Sequence, residues 1–135
     1  MGQLAVRNVD GDRYAVEVRE HVLVVDQPIE DGGTDAGPTP TELWVAGLAS
    51  CVAFYGGRFL ARHGIDPAGF VVTGAWAMAD RPARVASIEL GVQLPDGFPE
   101  AKRERFMAVV EHCTVHNSMV QVPHVQIALV APVAG

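Results

Sequence analysis

The chain has 135 residues, of which 49% are hydrophobic, and a formal net charge of −6. That length suits a single domain, residues 1–135, with a substantial core. The acidic balance gives no basic footprint for nucleic acid or for an anionic membrane surface.

The N-terminus MGQLAVRNVD has no apolar stretch of the signal-peptide kind, so a cytoplasmic protein is expected. Gly2 begins no myristoylation motif, because Val6 stands where that motif wants Ser or Thr. The N-terminal third reads as strands. Asp10-Gly11 marks a turn, and Tyr14, Val16 and Val18 then alternate with Arg13, Ala15, Glu17 and Arg19. A second run, His21 to Val25, ends before Pro28. The stretch from Glu30 to Pro40 is a loop by composition.

A helix start follows the loop. Thr39 can cap, Pro40 suits the first helical position, and Glu42 completes a Thr-x-x-Glu box. Helical character runs to about His63, with Gly64 as the stop. From Leu43 to Gly57 there is no charged residue, so this helix should be buried on every side. The uncharged stretch is too short for a membrane span, which needs roughly 18 apolar residues. Gly47, Gly56 and Gly57 lower helix propensity, which points to close approach by neighbouring backbone.

After Pro67, Phe70, Val72, Trp76 and Met78 share one strand face, and Asp80-Arg81-Pro82 makes a turn. A second alternating strand runs from Ala86 to Leu94 and is broken by Pro95-Asp96-Gly97. Pro99 opens a further helix, with Phe106, Val109, Val110 and Cys113 as its inner face. A short polar turn or helix spans Thr114 to Val120, and a closing strand carries Val125, Ile127 and Leu129. The pattern is α+β, an antiparallel sheet packed with one long buried helix. One small sheet covers only one side of that helix, so a homodimer with the long helices near its two-fold axis is expected.

Two cysteines, Cys51 and Cys113, lie 62 positions apart (113 minus 51). A reducing cytosol disfavours a permanent disulfide. The pair is therefore either two inert core thiols or a redox couple. His112 and His116 are four apart and share a helix face, but Cys113 is about 100° away from His112. No second ligand cluster is visible, so no metal is expected. His116 could assist a thiol as a base or orient a partner, or simply end a helix.

GPTPTELWVAGLASC resembles the first-cysteine motif of the OsmC/Ohr proteins, and CTVHNSM resembles their second. VDQPIEDGGTDAGPTP is similar to the loop before the long helix in the OsmC-like branch. The resemblance implies an intertwined homodimer and a thiol-dependent peroxidase acting on organic hydroperoxides in oxidative-stress defence. It makes Cys51 the peroxidatic thiol and Cys113 the resolving thiol, with Glu42 as a third site residue. It implies no cofactor; an external dithiol reduces the disulfide, and lipoyl proteins serve in the Ohr branch.

The chain departs from the pattern at two places. Thr41 stands directly after Pro40 where Ohr-type enzymes carry the Glu that orients a catalytic Arg, and Glu42 follows one residue later, about 100° round the helix. Thr114 replaces the usual Pro after the second cysteine. The family's Arg comes from the N-terminal strands, where Arg7, Arg13 and Arg19 are all candidates. Leu43, Trp44, Phe54 and Tyr55 could line a site for an organic peroxide. The alternative is a slow or non-catalytic OsmC-like protein that binds a hydrophobic small molecule at the dimer interface.

Overall fold

The computed structural model describes residues 1–132; the last three residues of the expected 1–135 domain lie outside the described residues. Three N-terminal strands, β1 (Ala5–Asp10), β2 (Arg13–Val18) and β3 (His21–Val25), form an antiparallel meander in that order. The tight turn at Gly11, with φ of 52°, joins the first two. The alternation at Tyr14, Val16 and Val18 is thus a strand, but both faces of the meander remain largely open within the chain. Val6, Tyr14, Val22 and Leu23 are all exposed.

The loop after β3 folds around one carboxylate. Asp26 is buried, and it accepts hydrogen bonds from the Gln27 amide (2.7 Å), the Thr34 hydroxyl (2.6 Å) and amide (3.2 Å), and the Ala36 amide (3.0 Å). The loop returns to its start where the Asp26 amide donates to the Pro38 carbonyl, 3.1 Å away. Gly33 and Gly37 lie so close to the backbone of Gln27 and Val24 that neither has room for a Cβ.

Helix α1 (Pro40–Arg62) begins with the expected box. The Glu42 amide donates to Thr39 Oγ1 (3.1 Å), and the Thr39 amide donates to Glu42 Oε1 (2.9 Å). The helix ends at His63, and Gly64 takes the left-handed conformation at φ 64°. By length and composition α1 would pass as a membrane span. Its packing against the second sheet and the later helices makes it a core helix instead.

The expectation of burial on every side is not met within one chain. Val45, Leu48, Val52, Gly56, Phe59 and Leu60 form the buried face, while Trp44 and Phe54 on the other side are about half exposed. One chain simply has too few elements to surround the helix. The glycines also differ from expectation. A Cβ on Gly56 would lie 2.6 Å from Phe70 Cζ and 3.1 Å from Phe106 Cζ, so this glycine admits aromatic rings rather than backbone. Gly47 and Gly57 face open space.

Strands β4 (Val71–Ala79) and β5 (Arg84–Gln93) form a separate antiparallel hairpin, with Val72 opposite Val92 and Trp76 opposite Ile88. Phe70, Val72, Ile88, Leu90, Val92 and Leu94 pack on the α1 core. The predicted face of β4 is therefore covered only near its start; Trp76 and Met78 are exposed.

Helix α2 (Arg103–Val110) follows a single 3-10 turn, Glu100–Lys102, so it starts later than Pro99 suggested. Phe106 is its central residue, edge-on to Phe59, Phe70 and Phe98 at centroid distances of 5.4, 6.2 and 5.5 Å. Val110 is buried with it, but Val109 points outward, contrary to expectation. A turn then leads to α3 (Thr114–Val120). Cys113 is the N-cap of α3 rather than the end of α2. Residues 121–132 form no strand, although Val125, Ile127 and Leu129 alternate as one should. A strand requires a paired edge, and this chain supplies none there; all three side chains are exposed.

Candidate active site

The fold brings the two cysteines together. Cys51 sits midway along α1 at the border of its buried face, and Cys113 is fully enclosed in the core cluster against which Cys51 packs. Both are free thiols. Burial pushes the Cys113 thiol above its ordinary pKa, and a hydrogen bond and charge interaction with the Cys51 sulfur push the same way. The amides of His116 and Val115 pull in the opposite direction, and the His116 amide lies 3.4 Å from the sulfur.

A second link ties the same segments together. Tyr55, one helical turn beyond Cys51, places its hydroxyl 2.7 Å from the hydroxyl of Thr114, the residue after Cys113. The Thr114 that replaces the usual Pro thus has a partner that Pro could not provide. Sequence reasoning saw Tyr55 only as apolar lining, and nothing in local spacing marks a contact across 59 positions. Asp26 was likewise missed, although an Asp before a Gly- and Thr-rich loop is the local signal for such a carboxylate hub.

His116 Nδ1 lies 2.7 Å from the Glu111 carbonyl oxygen. A carbonyl only accepts, so Nδ1 carries the proton and a neutral ring leaves Nε2 as an acceptor. The ring borders an apolar cavity of about 230 Å³ lined by Leu48, Val52, Ile88, Leu90, Val92 and Met107. Trp44 lines a neighbouring cavity, and Phe54 and Tyr55 line another. Leu43 and Cys51 line none of these three. His112 Nδ1 is held by the Ala108 carbonyl at 2.8 Å. Among the described residues no group of three or more His, Cys, Asp or Glu side chains is placed to hold a metal ion.

The remaining candidates lie apart from the thiols. Glu42 is engaged with Thr39 at the helix start. It precedes Cys51 by nine residues, about 13 Å of rise and about 180° of rotation on an ideal helix. Arg7 donates to Glu17 at 3.1 Å, and Arg13 lies 3.7 Å from Asp10. Arg19 forms the β2–β3 turn with φ 53°. Among the described residues, no arginine donates to either sulfur, because β1–β3 pack on one another rather than on α1.

The sequence matches the family model for OsmC-like protein over residues 32–128. The chain belongs to the OsmC-like family. Its fold is also that of solved structures. An osmotic stress induced and detoxification response protein from Psychrobacter arcticus 273-4 superposes with a TM-score of 0.79 at 22% identity, covering 87% of this chain and 88% of that one. An OsmC-like protein from Mycoplasma pneumoniae gives 0.76 at 16% identity, with coverage of 90% and 89%. The organic hydroperoxide resistance protein OhrB of Bacillus subtilis gives 0.61 at 16% identity, with coverage of 88% and 90%. Among curated proteins there is no significant match. This OsmC-like chain therefore shares the fold of antiparallel sheets and a long central helix, and its two-cysteine site falls inside the matched region.

Proposed function

We propose that this OsmC-like chain is a thiol-dependent peroxidase that reduces organic hydroperoxides in oxidative-stress defence. The observation that carries the reading is the meeting of two free thiols, remote in sequence, in one apolar cluster. In the proposed cycle the Cys51 thiolate attacks the outer peroxide oxygen. The O–O bond breaks, Cys51 becomes a sulfenic acid, and the alkoxide leaves and takes up a proton as the alcohol. Cys113 then attacks the Cys51 sulfur, forming the disulfide and releasing water. An external dithiol, such as a lipoyl protein, returns both thiols and is itself oxidised.

Cys51, only partly buried, supports its place as the attacking sulfur, and the enclosed Cys113 with its raised pKa supports the resolving role. Glu42 enters the proposal only through the capping box. The active form is proposed as an intertwined homodimer, in which a second copy covers the open side of α1 and an Arg7, Arg13 or Arg19 reaches a thiol across the interface. Cytoplasm, a reducing compartment, is the proposed location.

Titration of the reduced protein with cumene hydroperoxide should consume two thiols per chain and give a Cys51–Cys113 disulfide in peptide mapping. Cys51→Ser should abolish turnover. Cys113→Ser should react once and stop as a sulfenic or sulfinic acid. Equal insensitivity of turnover to both substitutions would reject the peroxidase. A second reading, a binding protein with slow or silent cysteines, draws support from Thr41 and from the apolar cavity beside His116. Under it, a hydrophobic ligand would bind while peroxide left both thiols intact.

A further inference from the structure

Two links join the middle of α1 to the start of α3. The first is the contact between the Cys51 and Cys113 sulfurs. The second is the pair of hydroxyls on Tyr55 and Thr114, 2.7 Å apart. Cys51 and Tyr55 are four residues apart in α1, so they are neighbours on one helix face. Cys113 and Thr114 are adjacent in the chain. The hydroxyl bond therefore spans the same gap as the two sulfurs, one helical turn away. Both of its ends are held by other contacts. The Tyr55 ring packs on the core cluster and meets Phe54 edge to face, with centroids 5.8 Å apart. Thr114 is the first residue of α3 and follows the Cys113 N-cap directly.

The backbone does not require threonine at position 114. The first position of a helix has no intrahelical partner for its N–H and suits proline. Cys113 is extended, at φ −70° and ψ 155°, in the region to which a following proline restricts its predecessor. Proline at 114 would thus leave the start of α3 as it is, without a hydroxyl for Tyr55. What threonine adds is the contact. That contact bears on the thiols, because a disulfide needs its Cα atoms within about 7 Å. Any swing of the α3 start away from α1 separates the sulfurs, and a hydrogen bond across the same gap opposes that swing.

We infer that Tyr55 and Thr114 are positioning residues, which hold Cys113 against Cys51 and so favour the disulfide over the two free thiols. The role rests on the proposed Cys51–Cys113 couple, and its test uses no peroxide. The folded protein is equilibrated with reduced and oxidised glutathione. Forming the disulfide releases two electrons and two protons from the cysteines, and one oxidised glutathione takes them up to become two reduced ones. The equilibrium constant reads the effective concentration of one thiol at the other. Tyr55→Phe and Thr114→Val, checked for folding by circular dichroism, should each lower it about twofold to tenfold, the range of one hydrogen bond. Thr114→Pro should fall with Thr114→Val, whereas Thr114→Ser, which keeps the hydroxyl, should match the parent. The Y55F/T114V double variant should lose no more than either single, because each removes the same bond. An unchanged effective concentration in both singles, an additive loss in the double, or a loss in Thr114→Ser equal to that in Thr114→Val would overturn the positioning role and leave the couple intact. A parent protein that forms no Cys51–Cys113 disulfide in oxidised glutathione would overturn the couple and the positioning role together.

Discussion

Asp26 shows how one side chain can organise the approach to α1. Its hydrogen bonds from Thr34, Ala36 and Gln27, led by the Thr34 hydroxyl, lower its pKa from the ordinary 3.8 to about 2. A carboxyl depressed by folding stabilises the native state above its unfolded pKa, and that stabilisation is lost as pH falls towards the folded value. Asp26→Asn should therefore melt at a lower temperature than the parent at pH 7. The gap should narrow as pH falls from about 4 to about 2, measured by thermal unfolding at each pH. A constant gap across that range would mean that packing, not the charge, holds the loop. Gly56 argues from shape instead. Its missing Cβ gives room to Phe70 and Phe106, so Gly56→Ala should cost about 1–3 kcal/mol through overpacking despite alanine's better helix propensity. Chemical denaturation would register the loss as a lower midpoint at unchanged slope.

The helix start illustrates the scale of elements. Thr39 and Glu42 satisfy two of the backbone donors that any helix leaves free at its first turn. Gln can play the same part as Glu in the box. Glu42→Gln should accordingly keep stability and the proposed peroxide turnover, whereas Glu42→Ala should lower stability by about 1 kcal/mol and leave that turnover per folded chain intact. Loss of turnover in Glu42→Gln alone would restore a catalytic carboxylate. Element by element, local signals were sufficient where the cause was local. The cap, the stop at Gly64 and the alternation of β2 and β5 could all be read from neighbouring residues. Where the cause was remote they failed. Val109 has an apolar side chain but points outward, and Val125, Ile127 and Leu129 have a strand's pattern without a strand's partner. The contact of Cys51 with Cys113 was expected only by analogy, since no spacing rule joins residues so far apart.

Taken as a whole molecule, the chain is unevenly covered. The β1–β3 meander, the outer side of α1 and the C-terminal segment all expose apolar side chains, among them Leu23, Trp44, Phe54 and Ile127. Exposed apolar surface on this scale marks interaction faces, and a second copy is the proposed cover. Sedimentation at micromolar concentration should give a dimer; a monodisperse monomer would remove the proposal and with it any thiolate activation across the interface.

The sequence by itself determined the elements whose boundaries depend on adjacent residues, the α+β class, and the two cysteine motifs that point to the OsmC-like family. Tertiary structure alone decided which faces are covered, that Gly56 admits rings, and that Asp26 anchors a loop. It also decided that Tyr55 reaches Thr114. Hydrogen-bonded turns and periodic faces are encoded over a few positions, whereas burial and charge pairing depend on which distant segments the folded chain brings into contact.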